Sequence, residues 1–529
     1  MYLYDQPIYI LSENTRRTTG RDAQRWNILA GRAVASAVRT TLGPKGMDKM
    51  LVDASGNVVI TNDGATILTE MDVEHPAAQM MVEVAETQES ETGDGTTTAV
   101  VLAGELLSRA EDLIESDVHP TVVANGYRFA AAEARSVLEG MATPADEERI
   151  LEAARTAMTG KGPEAAKEHL ATLVFRAVEA VRDEDGDIDL ENVAIEGIVG
   201  ASVDDASLVE GVVLSKEWMR ETMPRTVEDA RIALVDAPIE IRETEIDAHV
   251  DLSTTEQLEA FLAHEESELR AMAAAVTDAG ANVLVCRKKV DDVVAGFLAK
   301  ADVFVVQRAK ADEMRALARA TGAKRVSAVT DLTEADLGAA RLVEQRDIGE
   351  ETFVFVEECA DPGSVTILLR GGTEHVVGEV ERAVADALGV VRVSTLDELV
   401  LPGGGAPEIE LARALREFAG GVAGREQLAV EAFADAVEVV PRTLAENAGL
   451  DPIDSIVALR AAHEAGETAA GLDAYTGEVS DMYDLEVVEP LAVKLQAVEG
   501  ATECVELLLR IDDVVAARAS GGSAMADAF

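Results

Sequence analysis

Gly93-Asp94-Gly95-Thr96-Thr97-Thr98 leads into the strongest helical periodicity of the chain, Thr97–Ile114. There Val100, Ala103, Leu107, Ala110 and Ile114 fall on one face. Successive backbone N–H groups at a helix start form an anion site, and the helix dipole favours phosphate there. The glycines let the backbone approach closely, and three hydroxyls add donors. Asp94 would repel a phosphate directly, so a bridging Mg²⁺ is the natural resolution. Taken alone, the same residues also read as an ordinary helix start with Asp94 as N-cap and Thr97 three positions on. No Gly-x-x-x-x-Gly-Lys-Ser/Thr occurs anywhere, so a P-loop is excluded.

More than 300 residues downstream stands Gly403-Gly404-Gly405-Ala406. It reads either as a flexible linker or as bare backbone against which a base or ribose could lie. If both glycine stretches serve one nucleotide, the two ends of the chain must fold together, with the middle held away as an insertion. Other candidates share this double reading. Asp63, between Asn62 and Gly64, is a simple turn residue or a carboxylate held at the site on a rigid corner. Asp386 lies on a helix expected from about His375 to Leu388. It either pairs with Arg382 one turn earlier or orients a water for attack. Gly160-Lys161-Gly162 is a plain loop or brings Lys161 onto a terminal phosphate.

The periodicities divide the chain into α, then α/β, then α. Residues 22–40 read as a helix. Residues 49–53 and 57–61 read as a hairpin around Ala54-Ser55-Gly56, and 80–89 and 121–140 as further helices. Between 230 and 370, the short apolar runs Asn282–Cys286, Val303–Val306 and Val365–Leu369 read as buried strands. The helical stretches Asp291–Ala299 and Lys310–Ala320 alternate with them. Helices return from Glu408, followed by a strand-like pair near 485–495 and a last helix near 496–506.

Composition narrows the function classes. The 529 residues suffice for two to four domains. Hydrophobic residues make up 48% and aromatic ones only 3%, so Ala and Val must fill the cores. There are 46 basic and 99 acidic residues, a formal charge of −53, with the acids spread through every segment. Such self-repulsion works against compaction unless salt screens it; at 1 M salt the Debye length is roughly 3 Å. The expectation is a salt-loaded cytoplasm, as in a halophilic archaeon. No basic stripe is available for phosphate backbones, which argues against a nucleic-acid partner. Cys286, Cys359 and Cys504 lie far apart, without Cys-x-x-Cys or a neighbouring His, and read as buried free thiols of a reducing compartment. No secretory signal and no membrane span are read, so a cytoplasmic location is expected.

Long motifs tie these residues together. Thr41-Leu42-Gly43-Pro44-Lys45-Gly46-Met47-Asp48-Lys49-Met50, Thr61–Leu68 and Gly93–Leu107 are three of them; Pro402–Leu411, Ala434–Asp454 and Leu509–Ala516 follow the same pattern. The chain resembles a group II chaperonin subunit of the archaeal thermosome type over nearly its whole length. The resemblance implies an α+β multidomain fold. Residues 1–145 and 404–529 would form a mainly α, equatorial ATP-binding domain. Residues 146–215 and 369–403 would form a mixed intermediate hinge domain. Residues 216–368 would form an α/β apical domain with a helical lid protrusion at about 240–275.

The resemblance also implies ATP and Mg²⁺ as cofactors, with Asp94 on the metal and Gly95, Thr96, Thr97 and Thr98 on the phosphates. Asp63 and Asp386 would be the hydrolytic carboxylates, Asp386 the better placed to align water once the intermediate domain swings down. Leu42, Gly43 and Pro44 would border the nucleotide, and Lys161 would sense its terminal phosphate. Gly404 and Gly405 would face ribose or base, Glu489 the ribose hydroxyls, and Asp473 the adenine. The expected partners are unfolded protein clients and a homo- or hetero-oligomeric double ring of 8 or 9 subunits per ring. A built-in lid removes the need for a separate co-chaperonin, and Leu258, Phe261 and Leu262 would form an apolar face on it.

Two departures from the family pattern touch the apical loop Arg220-Glu221-Thr222-Met223-Pro224 and the short tail Ser520–Phe529, which lacks Gly/Met repeats. Neither touches the ATP site. Two competing functions are a structural ring subunit with weak ATPase activity and a small-molecule kinase. The intact Asp63, Asp94 and Asp386 weigh against the first. No motif for a phosphoryl acceptor supports the second.

Overall fold

Small residues at helical spacing let helices pack close, and this chain relies on them throughout. The computed structural model describes residues 16–52, 55–162, 164–241, 255–349, 351–359 and 363–516. They divide into two units: Met1–Lys161 together with Val393–Phe529, and Gly162–Arg392.

The first unit is built from both chain ends. Helices Arg21–Val38, Pro76–Thr92, Thr96–Glu115 and Pro120–Met141 share one core with Ala406–Ala419, Glu426–Val437 and Leu491–Leu509. Its contacts are too close for larger side chains. A Cβ on Gly104 would lie 2.3 Å from the Cβ of Ala35, and one on Gly126 would lie 2.5 Å from that of Ala429. The few aromatics are placed where they count. Tyr127 is fully buried, meets Phe433 edge-on at 5.6 Å, and donates its hydroxyl to Leu106 O at 2.9 Å. The strands at the two ends also pair directly, Arg16–Thr19 antiparallel to Asp513–Ala516. The expected hairpin is present as Lys49–Val52 against Val58–Thr61.

The second unit carries the expected α/β alternation. Its seven-stranded sheet runs in the order Phe304–Val306, Val283–Cys286, Thr226–Val235, Gly338–Ile348, Glu351–Cys359, Gly211–Leu214, with Arg325–Val326 also on Thr226–Val235. The first three are parallel and the remainder of that path is antiparallel. Helices Asp292–Lys300 and Ala311–Thr321 pack on this sheet. A smaller sheet pairs Val365–Gly371 with Val193–Val199 in parallel and with Ser207–Val209 antiparallel.

Some elements differ from expectation. The helix holding Asp386 spans Glu374–Asp397, well past Leu388, because Val390, Val391 and Val393 are buried and packing carries the helix through Gly389. Only Val488–Pro490 of the supposed strand pair near 485–495 is a strand. Leu491 opens the last helix, with Pro490 as its N-cap and Leu491, Val493 and Lys494 buried in its first turn. The hairpin Ala470–Leu472 with Val479–Asp481 was not foreseen.

In the protrusion segment, residues 242–254 and the Leu258 side chain lie outside the described residues, as does the tail. The described part is the helix Thr255–Asp278, on which Phe261 and Leu262 are exposed. Met223 of the divergent loop is buried. No described helix is long and apolar enough to cross a membrane. All three cysteines are free and buried, and burial pushes their thiols up to about 11 for Cys286 and Cys359 and about 12 for Cys504.

Candidate nucleotide site

The loop Gly93-Asp94-Gly95 joins two helices of the first unit through two left-handed glycines. Gly93 (φ 72°) caps Pro76–Thr92, and Gly95 (φ 83°) is the N-cap of Thr96–Glu115. A side chain at either position would be strained, and at Gly95 a Cβ would also strike Gln88 Nε2 and Val493 Cγ1, each at 2.8 Å. Asp94 is therefore not the N-cap. No side chain caps this helix, so its first N–H groups are left without a side-chain acceptor. Asp94, Thr97 and Thr98 are partly exposed, while Thr96 is buried.

The other candidates of the first unit gather here. A Cβ on Gly64 would lie 2.4 Å from Thr97 Oγ1, so the Asp63-Gly64 turn rests on the threonines. Asp63 is buried and does cap its own helix, Gly64–Glu70, its Oδ2 accepting from Thr66 N at 2.7 Å. The plain turn reading of Asp63 thus holds for its Oδ2. Asn62 Nδ2 donates to Gly160 O at 2.5 Å, and Gly160 packs on Pro44 and the Gly43 carbonyl. That contact brings Lys161 Nζ to 3.4 Å from Asp94 Oδ1. Leu42 is fixed from the C-terminal half, its carbonyl accepting from Asn447 Nδ2 at 2.8 Å.

Gly404 and Gly405 are also left-handed (φ 64° and 80°), so this stretch is a built turn rather than a linker. Cβ atoms there would strike Met482 Sδ at 2.5 Å and Pro441 Cβ at 2.6 Å. Gly404 O accepts from Leu472 N at 2.9 Å, and Gly403 N donates to Val487 O at 2.8 Å, two residues before Glu489. Glu489 accepts from Lys494 at 2.8 Å, and Lys494 also donates to Glu408 at 2.7 Å, with all three groups largely buried. Burial pushes the Glu489 carboxyl above its usual range, against the pull of Lys494; Glu408 and Asp94 push it further up. Asp473 spends its carboxylate on its own turn, accepting from Tyr475 N at 2.8 Å and the Thr476 hydroxyl at 2.7 Å. Its neighbour Leu472 bonds Gly404. Against the effect of burial, these turn bonds and Lys45, beside the Leu42-Gly43-Pro44 turn, hold its carboxyl below the usual range.

Asp386 stands apart from this set in the chain: it belongs to the second unit, buried on the Glu374–Asp397 helix.

Four residues of the neighbourhood escaped sequence reading: Gln88, Glu408, Asn447 and Lys494. Lys494 had a signal, being the sole lysine after Lys324 in a chain rich in arginine. Among the described residues no three His, Cys, Asp or Glu side chains stand together as a metal cluster. The protein would offer one carboxylate, Asp94, beside an open helix start. That donor set suits a Mg²⁺ completed by phosphate oxygens and water.

This fold of two chain ends around a glycine-lined loop agrees with the comparisons. The chain belongs to the TCP-1/cpn60 chaperonin family, whose model matches residues 34–519. It is 58% identical over 526 residues to thermosome subunit alpha of Halobacterium salinarum, spanning 99% of this chain and 93% of that protein. It is equally identical to thermosome subunit 1 of Haloferax volcanii, over 99% of this chain and 94% of the relative. A thermosome subunit of Methanopyrus kandleri is 56% identical, over 97% and 95%. A group II chaperonin function follows from this full-length likeness, and two of these relatives come from halophiles, in keeping with the acidic composition.

Proposed function

We propose that this chaperonin subunit hydrolyses Mg²⁺-bound ATP and uses the cycle to enclose unfolded proteins. The observation that carries the reading is the uncapped start of the Thr96–Glu115 helix, which follows two left-handed glycines and stands beside Asp63, Asp94 and Lys161. Gly95 and the hydroxyls of Thr96, Thr97 and Thr98 would hold the phosphates with donors oriented in advance. Asp94 would carry the metal, which supplies charge neutralisation when bound. Leu42, Gly43 and Pro44 border the nucleotide, and Lys161 meets its terminal phosphate. Gly404 and Gly405 accept ribose or base against backbone, Glu489 takes the ribose hydroxyls, and Asp473 lies toward the adenine.

Asp63 and Asp386 are the hydrolytic carboxylates, with Asp386 the one that aligns water. Their separation in the chain fits a three-part organisation: 1–145 with 404–529, 146–215 with 369–403, and 216–368. In this reading Asp386 completes the site only when the intermediate part swings down over ATP, so hydrolysis is gated by closure. The subunits form a double ring of eight or nine members each, alike or mixed. The segment near 240–275 serves as the lid, with no separate co-chaperonin.

The test is Mg²⁺-dependent phosphate release in molar KCl, comparing the parent with Asp386→Ala. Loss of general-base action is worth about 10²–10⁴ in rate. Turnover reduced by at least that lower figure, with ADP still bound, supports the assignment. Unchanged turnover removes Asp386 from the mechanism. A parent that forms rings but releases no phosphate would make the chain a structural ring subunit.

A further inference from the structure

We propose that Gln88 is a positioning residue of the nucleotide site, acting on the metal through the main chain of Asp94. The inference rests on the nucleotide reading above.

Gln88 lies one turn before the end of the Pro76–Thr92 helix and is 1% exposed. Its Nε2 stands 2.9 Å from Thr92 Oγ1, 2.8 Å from Asp94 O and 3.1 Å from Val493 O. Two of these acceptors are carbonyls, which fixes the amide with its nitrogen toward them, since the opposite orientation would set oxygen against oxygen. The Gln88 Oε1 is buried and accepts nothing among the described residues. Leaving a buried acceptor unmet costs stability, so packing alone would favour an apolar side chain here. The amide is therefore placed for what its nitrogen does.

That nitrogen joins two halves of the site. On one side is the Asp94 peptide, followed by Gly95, whose missing Cβ makes room for Nε2 itself at 2.8 Å. On the other is Val493, in the first turn of the Leu491–Leu509 helix, adjacent to Lys494 and close in sequence to Glu489. Thr92 Oγ1, with one proton to give, lies 2.7 Å from Gln88 O and 3.0 Å from Asp94 O, so it closes the same junction between helix end and carbonyl. Gln88 thus sets the spacing between the carboxylate offered to the metal and the turn that holds Glu489. Partners of this outer kind typically change metal affinity by 10- to 100-fold when removed.

The test uses the full chain in molar KCl, with ADP as probe, titrated by calorimetry with Mg²⁺ and with EDTA. Gln88→Met keeps the side-chain length but cannot donate. The expected result is a fall of about tenfold in the gain of ADP affinity conferred by Mg²⁺, with ADP binding in EDTA and the thermal midpoint little changed. An unaltered Mg²⁺ gain, or an equal loss with and without Mg²⁺, overturns the proposal and leaves Gln88 a packing residue. Should Gln88→Met melt below the assay temperature, Thr92→Val breaks the same junction from the other side. It must reduce the Mg²⁺ gain likewise; an unchanged gain overturns the proposal. A parent that binds no ADP overturns the nucleotide reading itself, whereas a binding parent with an unaltered variant overturns only the role of Gln88.

Discussion

Lys161 Nζ lies 3.4 Å from Asp94 Oδ1, so the ammonium proposed for a terminal phosphate sits beside the carboxylate proposed for a metal. Both side chains are largely shielded from water. The arrangement balances the charge of Asp94 before any cation arrives, and a metal must compete with it. Lys161→Met should therefore lower the Mg²⁺ concentration needed for half-maximal ADP binding. The expected change is about two- to fivefold, the worth of a weak ion pair. ATP turnover should fall at the same time. A higher Mg²⁺ requirement in the variant would show that the pair does not compete with the metal.

Gly104 and Ala35 set the approach of two core helices, where an added Cβ would be 2.3 Å from its neighbour. Gly104→Val should destabilise the first unit by about 3 kcal/mol, the upper range for overpacking. Ala35→Gly costs about 1 kcal/mol on helix propensity alone, yet it clears the space. The double variant should be more stable than Gly104→Val in urea melts at molar KCl. Strict additivity of the two losses would argue that the contact is not what limits packing.

Burial holds the Cys286 and Cys359 thiols up to about 11 and Cys504 up to about 12. At pH 8 the folded protein then carries on the order of 0.1% thiolate or less at each. Iodoacetamide should leave all three unmodified until denaturant is added. The folded state keeps these protons to higher pH than the unfolded chain, whose thiols titrate near ~8.5. Stability is thus complete below that pH and declines as pH rises toward 11. Rapid labelling of the folded protein at pH 8 would contradict this.

With a charge of −53, assembly should depend on salt. At ~0.1 M KCl the Debye length is about 10 Å, against roughly 3 Å at 1 M. Particles should dissociate in size-exclusion runs as KCl is lowered between these limits. Intact particles at ~0.1 M would mean that the acidic surface is neutralised by something other than bulk ions.

Much of this was legible because the informative residues are local. Gly93 and Gly95 mark a tight turn into the Thr96–Glu115 helix through their own backbone demands. The pairing of Asp63 with that loop was within reach, since both motifs point to the same chemistry. What could not be read depends on contacts across the chain. The roles of Gln88 and Asn447 are set by where their amides end, which no periodicity encodes. The end of the Asp386 helix was misjudged because burial of Val390 and Val391 outweighs the cost of Gly389. Of the strand-like pair expected near 485–495 only Val488–Pro490 is a strand, because a short alternating run cannot be told from a short helical one. The sequence leaves Gly403-Gly404-Gly405 open between a linker and a backbone surface, because only the neighbouring Met482 and Pro441 reveal a built turn.

The core shared by both chain ends has a consequence for synthesis. Tyr127 cannot meet Phe433 until the Glu426–Val437 helix is made, nor can the Thr96–Glu115 helix gain its full cover until the last helix leaves the ribosome. At about 5–20 residues per second, the N-terminal helices wait roughly 15–50 s after Met141 for Ala406 alone to be made. Residues 162–392 form a continuous unit, and its whole sequence is made within that wait, before the C-terminal helices of the first unit. During that interval the nascent chain exposes an Ala- and Val-rich surface with few aromatic side chains. Its low aromatic content and dense negative charge weaken the sticking of one unfinished copy to the next.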